Sequence, residues 1–227
     1  MVKYHPDARF LTDYTAGSLP QSQALCVSTH LHYCPTCRGK VRELTELGTV
    51  LFVQHKNSTV STTVSDADFD RVLARLADQP VSQPEPVSQP QVVSILPHAI
   101  EKLTRGNIDN LKWRKVGKGF RYSPLNLGDP GRETTLLQIR AGGNVPHHKH
   151  AGDEITVILK GSFSDNEDKY AVGDFIVRTA GEAHRPVASQ DQDCLCLATL
   201  DAPIVMTNWL YRLLMPFMNR TSASYAA

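Results

Sequence analysis

The chain has 227 residues, with 24 Lys and Arg against 23 Asp and Glu and a formal net charge of +1. Hydrophobic residues make up 41% and charged residues 21%, which is enough to build a core and too balanced in sign to bind a nucleic-acid backbone by charge alone. No apolar run approaches the roughly 20 residues of a membrane-spanning helix. The opening MVKYHPDARF carries charges and a proline where a secretory signal has its apolar core. These features predict a cytoplasmic protein without direct contact to nucleic acid or membrane. In that compartment Cys26, Cys34, Cys37, Cys194 and Cys196 read as metal ligands or redox groups rather than as a disulfide framework.

Taken in chain order, the first third has helical spacing. Phe10, Leu11 and Tyr14 form one stripe ending near Gly17, and a second helix begins after Leu19 and Pro20 with Leu25 and Leu31 on its face. A third runs from Pro35 through Val41, Leu44, Leu47 and Leu51, the proline suiting a first turn. Ser65 is the expected N-cap of a fourth, whose Phe69, Val72, Leu73 and Leu76 recur at i, i+3, i+4 and i+7. Residues 78–91 read DQPVSQPEPVSQPQ, a semi-extended spacer that supplies few helix donors. It divides a helical domain, 1–77, from a second domain, 92–227. In the latter the runs TTLLQIRAGG, EITVILKG, KYAVGDFIVRTAG and DCLCLATLD are short strands between turn residues, at the spacing of a sandwich or small barrel. Residues 208–220, apolar but broken by Pro216, read as a helix or arm that packs on the barrel or on a dimer partner.

Two groups of residues carry chemistry. His30, Cys34 and Cys37 form H-x-x-x-C-x-x-C at a helix-to-helix junction, where a four-residue spacing and the next helix's first turn bring three ligands toward one point. Zinc takes four ligands, tetrahedrally, from thiolate and imidazole. His5 is the first candidate for the fourth and His32 its rival, although His32 points about 200° away from His30 on a helix. A redox Cys-Pro-x-Cys motif needs a βαβ context that this half lacks, and the remaining alternative is buried, uncoordinated Cys and His. Cys26 reads as a small core residue. The second group is His148, His150 and Glu154, followed by His184. On a strand His148 and His150 share a face, and Glu154 returns to the same point after a turn. Three imidazoles and a carboxylate suit zinc, iron, manganese, nickel or copper. His147, of opposite parity, is expected to be exposed.

GGNVPHHKHAGDEITVILKG resembles the first cupin motif and GDFIVRTAGEAH the second, with Thr179 where many members have Pro and Ala188 where they often have Asn. The helical half, with His5 and HLHYCPTC, resembles a zinc-binding anti-sigma domain. Their order is similar to that of the ChrR family of anti-sigma factors. The resemblance implies a two-domain protein, an all-α zinc-binding bundle followed by an all-β cupin barrel of the jelly-roll type. It further implies structural zinc at His5, His30, Cys34 and Cys37 and a second divalent metal, zinc or else iron, manganese or nickel, at His148, His150, Glu154 and His184. The implied partner is an extracytoplasmic-function sigma factor of the sigma E type, held 1:1 by the N-terminal domain and released when the cupin senses singlet oxygen or oxidative stress. A homodimer through the cupin is a further expectation for the free protein.

Cys194 and Cys196 are candidate oxidant-sensing groups, although Leu195 and Leu197 on the other face mark the same strand as one buried on both sides. Phe69, Val72, Leu73 and Leu76 are the candidate sigma-binding face. The alternative function is a metal-dependent cupin enzyme, a dioxygenase or isomerase with an accessory zinc domain, and a third reading is a small-molecule-binding regulator without redox chemistry.

Overall fold

In a computed structural model, residues 2–54, 65–77 and 96–206 are described. Helix α1 (Ala8–Ala16) starts where the Asp7 side chain accepts the backbone N–H of Phe10 at 2.9 Å and stops at Gly17, whose left-handed φ of 69° turns the chain. Helix α2 (Gln21–Tyr33) follows Pro20, as expected. Its first free amides, at Gln21 and Ser22, are taken not by a neighbour in sequence but by the Asp129 carboxylate, at 3.2 and 2.7 Å. This is a helix cap supplied from a distant part of the chain. Helix α3 (Pro35–Gln54) begins at its proline. Helix α4 (Asp66–Ala77) begins at Ser65, whose side chain and amide exchange bonds with Asp68 in a capping-box arrangement.

A short helix α5 (His98–Thr104) and a 3-10 turn (Ile108–Asn110) lead into the β region. Its strands are β1 (Arg114–Val116), β2 (Phe120–Leu125), β3 (Glu133–Ile139), β4 (His148–His150), β5 (Glu154–Lys160) and β6 (Ser162–Ser164). They continue as β7 (Lys169–Ala171), β8 (Phe175–Arg178), β9 (Ala183–His184), β10 (Val187–Ala188), β11 (Cys194–Leu200) and β12 (Ile204–Met206). An antiparallel sheet in the order β1-β2-β3-β11-β5-β8 forms one wall, with smaller sheets β10-β6-β7 and β12-β4-β9 completing the barrel. The four expected strand runs are all present. The β1–β2 hairpin, whose turn contains Gly117 and Gly119, was not expected.

The large sheet is covered on both faces, which is why β5 and β11 read as continuous apolar runs although they are antiparallel. One core joins Leu136, Val157, Phe175 and Leu197 to Leu11, Leu25, Cys26 and Val27 of the helices. The other, inside the barrel, gathers Ile139, Ile158, Phe163, Tyr170, Cys194 and Cys196. Among the described residues, those up to Thr45 and from Leu96 onward form one compact unit, while those from Glu46 to Ala77 cluster as a second. In the second unit Leu47, Leu51, Phe69, Val72 and Leu73 are all exposed. The stripe expected along α3 is thus packed at Val41 and Leu44 and uncovered beyond them, because periodicity marks a face without saying what covers it. The spacer 78–91 and the segment 208–220 lie outside the described residues. Among the described residues, no helix is long and apolar enough to cross a membrane.

Helices and barrel meet at the β7–β8 turn. Gly173 has a φ of 88°, and a Cβ there would stand 2.6 Å from the Tyr33 Cβ and 2.8 Å from Val2. Beside it the Asp174 carboxylate accepts the backbone N–H groups of Lys3, Tyr4 and Ala171 at 2.7, 3.1 and 2.8 Å, and Phe175 donates its own N–H to the Tyr4 carbonyl at 3.0 Å. Residues 3–4 are thereby strapped to the edge of β8. Replacing Gly173 with Ala should destabilise the protein by about 2–3 kcal/mol, through the left-handed backbone and the clash with α2. Urea unfolding of the two proteins measures this directly.

Candidate metal centres

The first cluster lies where α2 ends and α3 begins. Cys34 occupies the one-residue break between the helices and Cys37 the first turn of α3, so that both sulfurs turn the same way, with the Cys37 amide 3.4 Å from the Cys34 sulfur. His30 lies one turn back on α2. His5 arrives from the strap before α1, its Nδ1 3.4 Å from the Cys34 sulfur and 3.5 Å from that of Cys37. One ligand atom from each of the four residues lies within 4.8 Å of the others, close to the roughly 3.3–3.8 Å edges of a tetrahedral zinc site. His30 donates Nδ1–H to the Gly173 carbonyl at 2.7 Å, which leaves Nε2 as the ring's lone-pair nitrogen, and that atom is buried without a partner. Burial, with the neighbouring Cys34 sulfur, pushes the Cys37 thiol up to about 11. A cation is what would turn such a pair into thiolates. His32, the rival ligand, is exposed and takes no part, and Cys26 is a buried core residue.

In the second cluster His148 and His150 project from β4 to one side, His184 comes from β9 paired directly opposite His148, and Glu154 opens β5. The bonds from Gly181 N–H to the His150 carbonyl and from His150 N–H to the Glu182 carbonyl, 2.9 and 3.0 Å, hold β4 and β9 in that register. The His184 Nε2 is 3.1 Å from the Nε2 of both His148 and His150, and the Glu154 Oε2 is 3.2 Å from that of His150. His148 donates its Nδ1–H to the Pro146 carbonyl and His184 donates its own to Asp165, each at 2.9 Å. Their Nε2 lone pairs therefore face one another. Burial holds His148 down at about 4 and His150 at about 3, so both rings are neutral near pH 7, while it raises Glu154 to about 7. Converging neutral lone pairs and a desolvated carboxylate repel one another unless a cation lies between them. His147, as expected, is exposed.

Two residues that support this centre were not singled out as such from the sequence. Asp165 has a fully buried side chain that receives both the His184 Nδ1–H and Arg178 Nη2, the latter at 2.8 Å. Arg178 is a buried strand residue paired with Asp165 and Glu167. A carboxylate behind a metal-facing histidine fixes its tautomer and ring plane, but no spacing rule links position 165 to 184. Cys194 and Cys196 point into the barrel with sulfurs 3.5 Å apart. Cys196 also lines a cavity of about 800 Å³ together with His148, Glu154, His184, Leu137 and Phe163.

Fold and sites together define a cupin-like barrel with a helical cap that carries a His/Cys cluster of its own. Residues 102–202 match the family model described as the ChrR cupin-like domain. The chain is 32% identical over 216 residues, 95% of its length and 98% of the relative's, to the anti-sigma-E factor ChrR of Cereibacter sphaeroides. It also superposes on a chain of the crystal structure of Rhodobacter sphaeroides SigE in complex with the anti-sigma ChrR, with a TM-score of 0.73 at 30% identity, covering 88% of this chain and 100% of that one. The chain belongs to the ChrR family of anti-sigma factors.

Elemental analysis of the purified chain should find two metal ions per molecule. Replacing Cys34 and Cys37 with Ala should remove one of them, and replacing His148 and His150 with Ala should remove the other.

Proposed function

We propose that this protein is an anti-sigma factor that sequesters an extracytoplasmic-function sigma factor of the sigma E type in a 1:1 cytoplasmic complex, and that its cupin senses the oxidant, singlet oxygen among others, that ends sequestration. The observation that carries the reading is the similarity, over nearly the full length of both chains, to a protein named for that activity. The donor set of His5, His30, Cys34 and Cys37, two nitrogens and two sulfurs with no open position, suits structural zinc. Zinc there would pin the ends of α2 and α3 and the strap before α1, a short segment with little core of its own. At His148, His150, Glu154 and His184 a divalent metal, zinc or else iron, manganese or nickel, would neutralise the facing lone pairs and leave a position open toward the cavity.

The contact surface for sigma is the exposed apolar side of α4. Phe69, Val72 and Leu73 are 61%, 55% and 46% exposed, with Leu76 on the same helix, and such a face is costly unless it meets a partner. The sensing groups are the cupin ligands and Cys194 with Cys196. Their sulfurs are near enough for oxidation to alter the barrel wall that carries Leu195 and Leu197 against the helices. A hundredfold loss of sigma affinity asks for a difference of only about 2.7 kcal/mol between two states. The enzyme alternative has weaker support, since Arg178, the buried arginine beside the second cluster, is held in ion pairs with Asp165 and Glu167.

Binding of the full-length chain to its sigma factor, measured by calorimetry, tests the reading. Phe69→Asp with Leu73→Asp should weaken the complex at least a hundredfold while both metals stay bound, and equal affinity would remove α4 from the interface. His148→Ala with Glu154→Ala should leave binding intact but abolish release by singlet oxygen. Release that persists in this variant would locate the sensor elsewhere.

A further inference from the structure

Three of the four ligands in the first cluster are held by helices: His30 on α2, Cys34 at its end and Cys37 on α3. His5 is different. It is exposed, precedes α1, and is carried by a strap whose backbone bonds are made to the barrel turn that contains Asp174. It is therefore the ligand with no helix of its own to resist a change in the barrel.

A continuous set of contacts runs from the second cluster to that strap. His184 donates Nδ1–H to Asp165 at 2.9 Å, and Arg178 Nη2 meets the same carboxylate oxygen at 2.8 Å and the Tyr170 hydroxyl at 2.6 Å. The Tyr170 ring is buried, with its centroid 4.9 Å from that of Tyr4. Tyr4 gives its hydroxyl to Asp168, in the same turn as Asp165, and its backbone to Asp174 and Phe175. His5 is the next residue. The same stretch of barrel orients the first cluster a second time, through the Gly173 carbonyl on His30.

We propose that Asp165, Arg178 and Tyr170 are positioning residues that couple the two metal centres, so that displacement of His184 frees Tyr4 from the barrel and withdraws His5 from the first cluster. The two states are strap docked and strap released. The ligand that moves is the one without a helix to hold it. This inference rests on the zinc reading of the first cluster and adds to it a route by which the cupin governs that zinc. Neither end of the route needs to touch sigma.

The test is the rate at which the full-length, metal-saturated chain gives up its N-terminal zinc to a chromophoric chelator. His184→Ala should speed that release about tenfold, the size of coupling expected between residues of one bonded network. In a Tyr4→Ala background the same substitution should change the rate less than twofold. Tyr4→Phe, which keeps the ring against Tyr170, should retain most of the acceleration. Asp165→Asn keeps all four cupin ligands and guards against simple unfolding, and it should speed release several-fold at saturating metal. Equal acceleration by His184→Ala with Tyr4 intact and in the Tyr4→Ala background, or none in either, would overturn the coupling while leaving both metal sites standing. Metal content that does not fall when Cys34 and Cys37 are replaced would overturn the zinc reading and the coupling with it, a result told apart by elemental analysis alone.

Discussion

Three backbone N–H groups converge on the Asp174 carboxylate, two of them from the extreme N-terminus and one from its own turn. A buried carboxylate is tolerable only when its lone pairs are satisfied, and here two of the three partners, Lys3 and Tyr4, lie 171 and 170 residues away. That requirement ties the strap to β8 and places His5 near the end of α2. It also leaves Gly173 no room for a side chain between Tyr33 and Val2. The helical cap and the barrel consequently share a core and a set of buried bonds, and the surroundings of each metal cluster include groups from the β6–β8 region.

The two clusters solve the same electrostatic problem with different means. Each gathers groups whose metal-binding forms repel when brought together: two thiolates in one case, three imidazole lone pairs with a carboxylate in the other. Each then fixes its histidines from behind, by a backbone carbonyl at His30 and His148 and by a carboxylate at His184. That fixing selects the lone-pair nitrogen of each of these rings before any cation arrives. The first set is closed and softer, suited to holding a structure. The second borders a cavity of about 800 Å³, so a change there can be caused from outside. This division is the basis for the proposal that one centre maintains a shape and the other receives a signal.

The second unit follows another logic. α4 is capped by Ser65 and Asp68, yet the apolar residues Phe69, Val72 and Leu73 are left largely in water. Helix formation is thus secured locally by the cap, while the apolar face stays uncovered among the described residues. Such an exposed apolar face has a cost in solubility, and it is what the proposed contact with a sigma factor would cover.

Much of this was legible in the sequence because the relevant rules are local. Helix period, Pro35 at a first turn, Ser65 at a cap and the alternation of His148 with His150 each depend on a few neighbouring residues. Both clusters could be named for the same reason, since H-x-x-x-C-x-x-C and H-x-H-x-x-x-E bring their members together through one element or one turn. The two outlying members, His5 and His184, came from their place in the chain and from family resemblance rather than from spacing. What only the tertiary structure decided is everything that joins distant segments: Asp129 as the cap of α2, Gly173 beneath Tyr33, Asp165 and Arg178 behind His184, and Tyr4 against Tyr170. Those contacts have no period. They arise because buried polar groups must find partners wherever packing happens to bring them, and that is settled only once the sheet has closed and the helices have docked on it.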